Sequence, residues 1–367
     1  MRALRVVWIV PGFSSDEEDW CIPALLDLAR AVSQRCELSI VAMRYPFRRS
    51  VYRIGQARVC SIGGAHRGPV YTPGIWRDTL QSVRQSHCNV LHAFWAYEPG
   101  LIAALCPRLP AVVSIAGGEL VYLPDIQYGL MDKMWRRSAI RWALRRARAV
   151  TAGSPFLMER ARNLLSLRNL QHVPLGVDLR RWTCTPHTVD PPVVLNAGSL
   201  EPVKGHRLLL EAFALVREHA RSARLRIAGG GRELENLRSV ARKLRIAEQV
   251  EFAGPIPHHE MPFAYAGASL FAQASLHEAQ GMALIEAAAS GLPIVGTAVG
   301  ALAAFAPEAA LSTPVGDAES LANAILRLLN NQDEAARLGR KARGKVEAGY
   351  SLESAVDAFL KLYESVL

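Results

Sequence analysis

The sequence predicts an α/β protein of two domains, each with a parallel sheet covered by helices. The chain has 367 residues, more than one domain of ordinary size usually holds. Short apolar runs typical of buried strands alternate with segments of helical periodicity, and this alternation favours parallel sheets. A break at Val173–Asp178 (VPLGVD), where Pro174 and Gly176 interrupt regular structure, marks the expected domain boundary.

The first domain is expected to begin with a β-loop-α-β unit. Its predicted elements are the strands Leu4–Val10, Leu38–Ala42, Asn89–Ala93, Ala111–Ile115 and Ala149–Ser154 and the helices Ile22–Val32 and Lys133–Arg148. Ligands of such sheets bind at the carboxyl ends of the strands. Gly12, His92 and Glu119 end or follow predicted strands and are therefore candidate ligand contacts. A histidine bonded to backbone at a strand end is an equal alternative for His92.

The second domain repeats the alternation of strands and helices. Its predicted elements are the strands Val193–Ala197, Arg224–Ala228, Val250–Pro255, Ser269–Ala272 and Pro293–Gly296, a helix containing Leu234 and Leu237, and the helices Leu208–Arg217, Leu321–Leu329 and Leu352–Leu367. Lys204 follows the first of these strands and a glycine turn at Gly198. That spacing favours a ligand contact for Lys204 over an ordinary surface lysine.

The stretch Ser275–Pro293 (SLHEAQGMALIEAAASGLP) carries two glutamates on either side of Gly281. An alanine-rich helix is predicted after this glycine, so Glu278 lies before the helix and Glu286 about one turn inside it. A helix N-terminus binds phosphate, whereas carboxylates beside it suit hydroxyls. Eight helical residues would rise roughly 12 Å, about the span from ribose to hexose across a diphosphate. The pattern predicts a sugar-nucleotide site.

The net charge of +10 is concentrated in the first half of the chain. Through Arg180 there are 24 Lys and Arg against 13 Asp and Glu. This asymmetry indicates an anionic partner, and since no nucleic-acid motif accompanies it, nucleic acid is not expected. The predicted helix Lys133–Arg148 carries seven of the cations together with Trp135 and Trp142. It suits an anionic membrane surface, or it packs its Trp face on the domain and leaves its cations in solvent.

Composition excludes several classes of protein. No apolar run approaches the twenty or so residues of a membrane span, and no signal peptide is recognisable. The six cysteines form no C-x-x-C pair, which is typical of incidental thiols in a reducing cytoplasm. Localisation is therefore expected to be cytoplasmic, with the basic helix offering contact to the inner face of the membrane.

Three motifs resemble those of a large retaining glycosyltransferase family that includes sucrose synthases, sucrose-phosphate synthases and many bacterial mannosyl- and glucosyltransferases. They are the glutamate pair of Ser275–Pro293, the connector Val173–Asp178, and Gly198–Gly205, which is similar to a glycine-arginine-leucine motif with a downstream Lys-Gly. The resemblance implies the GT-B fold, with parallel sheets of two Rossmann-like domains facing across a cleft. The implied domains are 1–178 for the acceptor, 179–348 for the nucleotide sugar, and a C-terminal helix, 349–367, that returns to the first domain.

The same resemblance implies a hexosyltransferase that moves a sugar from a nucleotide diphosphate to a hydroxyl acceptor with retention, in polysaccharide, cell-envelope or glycolipid biosynthesis. Glu278 would hold the donor sugar, Glu286 the ribose diol, and Lys204 the leaving diphosphate. Other donor contacts are expected from Gly12, Ser199, Pro255, Ile256, Gly281, Met282 and Ala283. His92 and Glu119 would serve the acceptor or the donor sugar. The acceptor would be a sugar, a lipid-linked sugar or a small molecule.

The chain departs from the family pattern at two positions. Ser199 stands where the family has an arginine, so the second cation is missing or comes from elsewhere, for example Arg207. Ala116 replaces a histidine, and His92 is a candidate to take over part of its role. These departures favour a catalytically inactive GT-B partner protein as an alternative, and a sugar-nucleotide epimerase is a second one. No Asp-x-Asp triplet occurs, so no metal or other cofactor is expected.

Overall fold

The computed structural model describes residues 3–66, 71–167, 169–183 and 189–367. The chain forms two compact units: Met1–Gly176 joined by Leu352–Leu367, and Val177–Ser351. The sequence placed the boundary at Asp178, next to this division. Part of the stretch Arg181–Pro192, including Cys184, lies outside the described residues.

The first unit contains a large sheet and a small hairpin. Its strands are β1 (Arg5–Gly12), β2 (Glu37–Tyr45), β3 (Ser50–Ile54), β4 (Ala57–Ser61), β5 (Val90–Phe94), β6 (Ala111–Ile115), β7 (Tyr122–Leu123), β8 (Tyr128–Gly129), β9 (Ala149–Ala152) and β10 (Leu170–His172). Its helices before the connector are α1 (Pro23–Ser33), α2 (Thr72–Gln85), α3 (Glu98–Ala104), α4 (Met134–Arg146) and α5 (Pro155–Leu165).

The sheet of this unit has the order β10-β9-β6-β5-β1-β2-β4-β3. Its pairs are parallel apart from the antiparallel hairpin of β3 and β4. Strand β1 is buried because its residues from Val6 to Val10 are apolar on both faces, and Trp8 on it has no exposed surface. Strands β2 and β5 flank β1, so the strand order reverses there, which is where ligands of doubly wound sheets bind.

The second unit is a single parallel sheet with helices. Its strands are β11 (Val193–Ala197), β12 (Arg224–Ala228), β13 (Val250–Gly254), β14 (Leu270–Gln273), β15 (Ile294–Thr297) and β16 (Leu311–Thr313). Its helices are α6 (His206–His219), α7 (Leu234–Lys243), α8 (Met261–Ala266), α9 (Met282–Ala289), α10 (Leu302–Phe305), α11 (Ala318–Asn330) and α12 (Gln332–Gly349).

The order of this second sheet, β13-β12-β11-β14-β15-β16, determines where a ligand can bind. The chain first winds outward from β11 through β12 to β13 and then restarts on the other side of β11 with β14. The carboxyl ends of β11 and β14 are therefore neighbours at the point where the order reverses. The loop after β11 carries Lys204 and the loop after β14 carries Glu278, so these two predicted site residues come together.

The last helix, α13 (Leu352–Val366), belongs to the first unit. Its buried face, which includes Val356, Phe359 and Tyr363, joins the core cluster around Trp8 and Val90. This placement follows from the apolar spacing of the sequence, which puts these side chains on one face of a helix.

The structure confirms the predicted α/β class and parallel sheets, and it adds elements that the sequence reading did not identify. Among them are the hairpin of β3 and β4, helices α2 and α12, and the short hairpin of β7 and β8. Strands β3 and β4 were missed because they are short, alternate between buried and exposed residues, and are separated only by Gly55 and Gln56.

Candidate active site

The centre of the candidate site is the N-terminus of α9. Gly281 adopts a left-handed conformation with φ of +91° and begins the helix without a side-chain cap. The first N–H groups of a helix lack intrahelical acceptors and carry the positive end of its dipole. Since the helix starts at Met282, only four residues of helical rise separate its start from Glu286, roughly 6 Å. The expected 12 Å of continuous helix is therefore wrong.

Lys204 and Glu278 form an ion pair at this end of the helix. The Lys204 Nζ lies 2.6 Å from Glu278 Oε1, and Ser275 Oγ donates to the same oxygen at 2.8 Å. Both side chains are largely buried, and both contacts fall on Oε1. The site therefore holds its cation and its carboxylate as an ion pair.

Backbone contacts fix the loops that carry this pair. The Leu276 N–H donates to the Val203 carbonyl at 2.8 Å and so ties the loop of Glu278 to that of Lys204. The Ala301 N–H donates to the Gln280 carbonyl at 2.8 Å. Gly300, with φ of +61°, packs so closely that an added Cβ would lie 2.7 Å from Glu278 Cβ. The loop after β15 thus sets the position of Glu278.

Glu286 has different surroundings. Its Oε2 accepts a hydrogen bond from the fully buried Tyr265 hydroxyl at 3.0 Å, and its Oε1 lies 3.1 Å from His258 Nε2. Trp182 meets the rings of both His258 and Tyr265 edge-on, with centroids 5.7 and 5.5 Å apart. Burial and the neighbouring carboxylate raise the pKa of Tyr265 well above its ordinary value, so this hydroxyl acts as a donor.

A depression at the strand ends is lined by the ion pair and the start of α9. The lining side chains and backbone come from Asn196, Ala197, Lys204, Gln273, Ser275, Glu278, Gly281, Met282 and Ala283. Within the described ranges, Asn196 Oδ1 and Gln273 Nε2 are buried without a hydrogen-bond partner. An orphaned buried acceptor and donor are costly unless a ligand or water satisfies them. The sequence reading missed both residues, although Asn196 interrupts an otherwise apolar strand.

The other predicted donor contacts in this unit, Ser199, Pro255 and Ile256, are not among the residues that line the depression. Ser199 is exposed in the loop after β11. Pro255 is also exposed, whereas Ile256 packs against the same core cluster as Met282. The Arg207 side chain is exposed on α6 and pairs with Glu211 at 3.1 Å. This cation, a candidate for the second cation of the site, therefore contacts a residue of its own helix.

In the first unit, the prediction that His92 contacts a ligand is wrong for this structure. His92 has no exposed surface, and its two ring nitrogens lie 2.7 Å from Tyr363 Oη and 2.7 Å from Ser114 Oγ. Burial lowers its pKa to about 3. The alternative of a structural histidine holds, with side-chain partners in place of the expected backbone ones.

Glu119 and Gly12 also serve the interior of the first unit. The Glu119 carboxylate is buried and accepts hydrogen bonds from the N–H groups of Ala96, Ala116 and Gly117, at 3.0, 3.2 and 2.6 Å. It joins the loops that follow β5 and β6, while desolvation raises its pKa. Gly12 is buried at the end of β1, where an added Cβ would lie 3.1 Å from Tyr45 Cβ. In the acidic stretch 16–19 that follows, Asp16 and Asp19 accept backbone N–H groups of their own loop. Glu17 accepts from Arg30 and from the Gly55 N–H, and the Tyr45 hydroxyl donates to Asp19.

Helix α4 presents both of its tryptophans to solvent. Trp135 is 56% exposed and Trp142 is 41% exposed, with Arg136 and Arg146 over their rings at 5.4 and 5.6 Å. The buried residues of the helix are Ile140, Ala143 and Leu144, and the Trp135 ring centroid lies 6.3 Å from that of Tyr97. The alternative in which the helix packs its Trp face on the domain is therefore correct in leaving cations in solvent, whereas the tryptophans are only partly covered. Among the residues that the structure describes, no helix combines the length and the apolar character needed to cross a membrane.

Comparison with solved structures identifies the fold first. Sucrose-phosphate synthase from Thermosynechococcus elongatus matches with a TM-score of 0.85 at 19% identity, over 99% of both chains. WaaG, a glycosyltransferase involved in lipopolysaccharide biosynthesis, matches with a TM-score of 0.73 at 16% identity, over 96% of this chain and 99% of that one. HepE from Anabaena, solved with UDP and glucose, matches with a TM-score of 0.76 at 16% identity, over 98% and 100%. The fold is GT-B.

Sequence comparison then identifies the family. The profile of Glycosyltransferase Family 4 matches residues 24–181, and that of Glycosyl transferases group 1 matches residues 185–345. The chain belongs to the glycosyltransferases of the family 4 type.

Two curated relatives show the range of named activities in this family. A GDP-mannose-dependent α-(1-6)-phosphatidylinositol monomannoside mannosyltransferase of Mycolicibacterium smegmatis is 33% identical over 197 residues, which are 47% of this chain and 50% of the relative. The lipopolysaccharide core biosynthesis glycosyltransferase LpsE of Rhizobium meliloti is 32% identical over 178 residues, 48% of this chain and 51% of the relative. The chain thus spans about half the length of these relatives.

Proposed function

We propose that this protein transfers a hexosyl unit from a nucleotide-diphosphate sugar to a hydroxyl acceptor with retention of configuration. The observation that carries the proposal is the arrangement at the start of α9, where Lys204 and Glu278 meet beside free helix N–H groups and Glu286 follows about one turn later. A diphosphate suits the cation and the N–H groups, and two sets of hydroxyls suit the two carboxylates.

In the proposed reaction, the bond between the sugar carbon and the diphosphate oxygen breaks and the acceptor oxygen bonds to that carbon. Lys204 stabilises the negative charge that develops on the leaving diphosphate. Glu278 holds hydroxyls of the sugar through Oε2, since Lys204 and Ser275 both contact Oε1. The acceptor proton passes to the leaving phosphate, so no protein base is assigned. Lys204 and the helix end supply the counter-charge that a metal would otherwise give, and we infer no metal requirement.

The proposal is tested by measuring binding and slow hydrolysis of a panel of UDP-, GDP- and ADP-sugars, with and without EDTA. We expect one donor series to bind and to be hydrolysed, at rates that EDTA does not change. Failure of every sugar nucleotide to bind would remove the proposal. Binding with neither hydrolysis nor transfer to any acceptor would support the inactive partner protein, since its donor site would persist without turnover.

We also propose that α4 docks on an anionic membrane surface, which would bring the enzyme to a lipid-linked acceptor. The exposure of Trp135 and Trp142 supports this, because amphipathic tryptophans beside cations suit the interface of a bilayer. Arg137, Arg141 and Arg145 are exposed on the same helix and add attraction to anionic headgroups. The glycolipid and lipopolysaccharide substrates in the names of its relatives fit such a location.

Liposome sedimentation tests this docking. Replacing Arg137, Arg141 and Arg145 by Ala should weaken binding to phosphatidylglycerol-containing vesicles by roughly 100-fold at low salt, at about 1 kcal/mol per cation. Raising the salt concentration should weaken the wild type in the same direction. Replacing Arg337, Arg340 and Lys341, three exposed cations of α12, removes the same charge and serves as the control. Equal losses in both triple variants would show a general charge effect and contradict docking through α4.

A further inference from the structure

Glu286 has one oxygen toward the interior and one toward the surface of its unit. Its Oε2 contacts the Tyr265 hydroxyl, and Tyr265 has no exposed surface. Its Oε1 contacts His258 Nε2, and the His258 side chain is 17% exposed. A carboxylate oxygen accepts more than one hydrogen bond, so Oε1 keeps a lone pair that is not used by His258. A ribose hydroxyl that reaches Glu286 therefore meets the oxygen that His258 already holds.

The imidazole is itself held in place. Trp182 packs edge-on against it, with ring centroids 5.7 Å apart, and the Trp182 ring is almost completely buried. Because a carboxylate only accepts hydrogen bonds, the His258 Nε2 carries the proton and donates it. His258 also lies in the loop that follows β13, two residues after Ile256, which with Pro255 is an expected donor contact. One ring thus connects the loop after β13 to the carboxylate on α9.

We propose that His258 is a positioning residue for nucleotide binding: it orients the outward oxygen of Glu286 toward the 2′- and 3′-hydroxyls of the ribose. This rests on the proposed function, because it assigns the ribose to Glu286. Tyr265 and His258 together fix both oxygens, so the carboxylate stays in one rotamer before the ligand arrives. Binding then does not have to immobilise a free side chain.

The alternative interpretation predicts the opposite effect of removing His258 on nucleotide affinity. If His258 occupied the position that the ribose hydroxyl takes on Glu286, the nucleotide would have to displace it. Removing the ring would then strengthen binding. The two interpretations are separated by the direction of a single affinity change.

The experiment is a double-mutant cycle between His258 and the ribose hydroxyls. Calorimetry with UDP, GDP and ADP first identifies the nucleotide that the wild type binds most tightly. The dissociation constants of this nucleotide and of its 2′,3′-dideoxy analogue are then measured for the wild type and for His258→Ala. We expect His258→Ala to weaken the parent nucleotide about tenfold, a loss typical of a hydrogen bond to a charged group, and the dideoxy analogue less than twofold.

Three further variants make the result specific. His258→Gln places an amide N–H near the position of Nε2 and should recover most of the affinity. His258→Phe keeps the ring against Trp182 but removes the donor, so it should behave like His258→Ala and replaces that variant if it does not fold. His259→Ala is the matched control, since this neighbouring histidine is 81% exposed and lies 3.6 Å from Glu260.

Equal losses for the nucleotide and its dideoxy analogue would overturn the proposal, because a general disturbance of the site does not depend on the ribose hydroxyls. Tighter binding by His258→Ala would overturn it as well. If the wild type binds none of the three nucleotides, the proposed function itself fails and takes this inference with it. Nucleotide binding without any dependence on His258 would leave the proposed function intact and remove only the role of this histidine.

Discussion

At the scale of single residues, Glu278 and Glu286 show how the same side chain is prepared for two tasks. Glu278 is paired with a lysine 2.6 Å away, whereas the side-chain hydrogen bonds of Glu286 within the described ranges come from an imidazole and a phenol. A carboxylate beside a lysine is suited to a place where charge develops during the reaction. A carboxylate held by ring donors is suited to holding a diol whose charge does not change.

Glu286→Ala and Glu278→Gln should therefore have different kinetic effects. Glu286→Ala is expected to raise the dissociation constant for nucleotide by about 10- to 100-fold, the loss of hydrogen bonds to a charged acceptor. Glu278→Gln should lower donor turnover by about 100- to 1,000-fold with little change in nucleotide affinity. Calorimetry and donor hydrolysis rates separate the two. The free energy of unfolding should change little in Glu286→Ala, because the Tyr265 hydroxyl also lies 3.0 Å from the Ala283 carbonyl and can donate its proton there. Matching effects of the two variants on both quantities would contradict these roles.

At the scale of elements, the site is held by a loop that contains none of the predicted ligand contacts. The segment after β15 passes behind Glu278, where the Ala301 N–H donates to the Gln280 carbonyl. Gly300 permits this approach in two ways: its φ of +61° is unfavourable for a side chain, and a Cβ would lie 2.6 Å from the Gln280 carbonyl oxygen. The sequence Val299-Gly300-Ala301 is therefore a structural support of the candidate site.

Gly300→Ala and Gly316→Ala form a matched pair that tests this support. Both glycines have positive φ, +61° and +86°, but a Cβ at Gly316 meets nothing within 4 Å. Gly316→Ala should cost about 1–2 kcal/mol of stability from backbone strain alone and leave donor hydrolysis unchanged. Gly300→Ala should cost more and slow hydrolysis at least about tenfold, because Glu278 must move. Chemical unfolding and hydrolysis rates measure the two effects. Equal hydrolysis rates in both variants would show that the loop does not position Glu278.

At the scale of the whole molecule, the two ends of the chain meet in the core of the first unit. The Trp8 indole N–H donates to the Tyr363 hydroxyl at 3.0 Å, and this hydroxyl lies 2.7 Å from His92 Nδ1. Since Trp8 can only donate, Tyr363 is free to donate its own proton to Nδ1, and His92 Nε2 then donates to Ser114. Helix α13 is thus attached to β1, β5 and β6 by a chain of polar contacts inside an apolar core.

This network makes stability depend on pH. The pKa of His92 is about 3 in the fold against an ordinary value of 6.5, because burial disfavours the charged ring. The unfolded chain therefore binds a proton that the native chain does not, and stability falls as the pH drops below 6.5. The contribution is about 1.4 kcal/mol per pH unit between these two values. Between pH 7 and pH 5, urea unfolding should show the wild type losing more stability than His92→Gln, and the difference should approach about 1.4 kcal/mol per pH unit below pH 6.5, since other histidines with lowered pKa, such as His206, contribute to both proteins. Identical slopes would contradict a neutral buried ring.

Much of the second unit could be predicted from the sequence because its signals are local. Strands β11 and β12 have the predicted bounds, Val193–Ala197 and Arg224–Ala228, and glycines mark the loops after them. The pairing of Lys204 with Glu278 also follows from strand ends meeting at one edge of a parallel sheet. These features depend on a few neighbouring residues each.

The parts that could not be predicted depend on contacts between distant residues. His258 and Tyr265 reach Glu286 across 28 and 21 positions, and no local pattern marks either of them. His92 lies at a strand end, as predicted, but its direction is determined by Tyr363, which is 271 residues away. The pattern of apolar residues along a strand indicates which residues are buried, but it does not indicate which helix covers them.

The ion pair of Lys204 and Glu278 has a consequence for which molecules the site accepts. Each partner is already the other's counter-ion, so an anion that draws Lys204 away from Oε1 leaves a carboxylate without its cation. A molecule that brings an anion and hydroxyls at once compensates both partners. Under the proposed function, the intact donor is such a molecule, and the nucleoside diphosphate that remains after transfer has lost the hydroxyls that faced Glu278 and is held less tightly than the donor was.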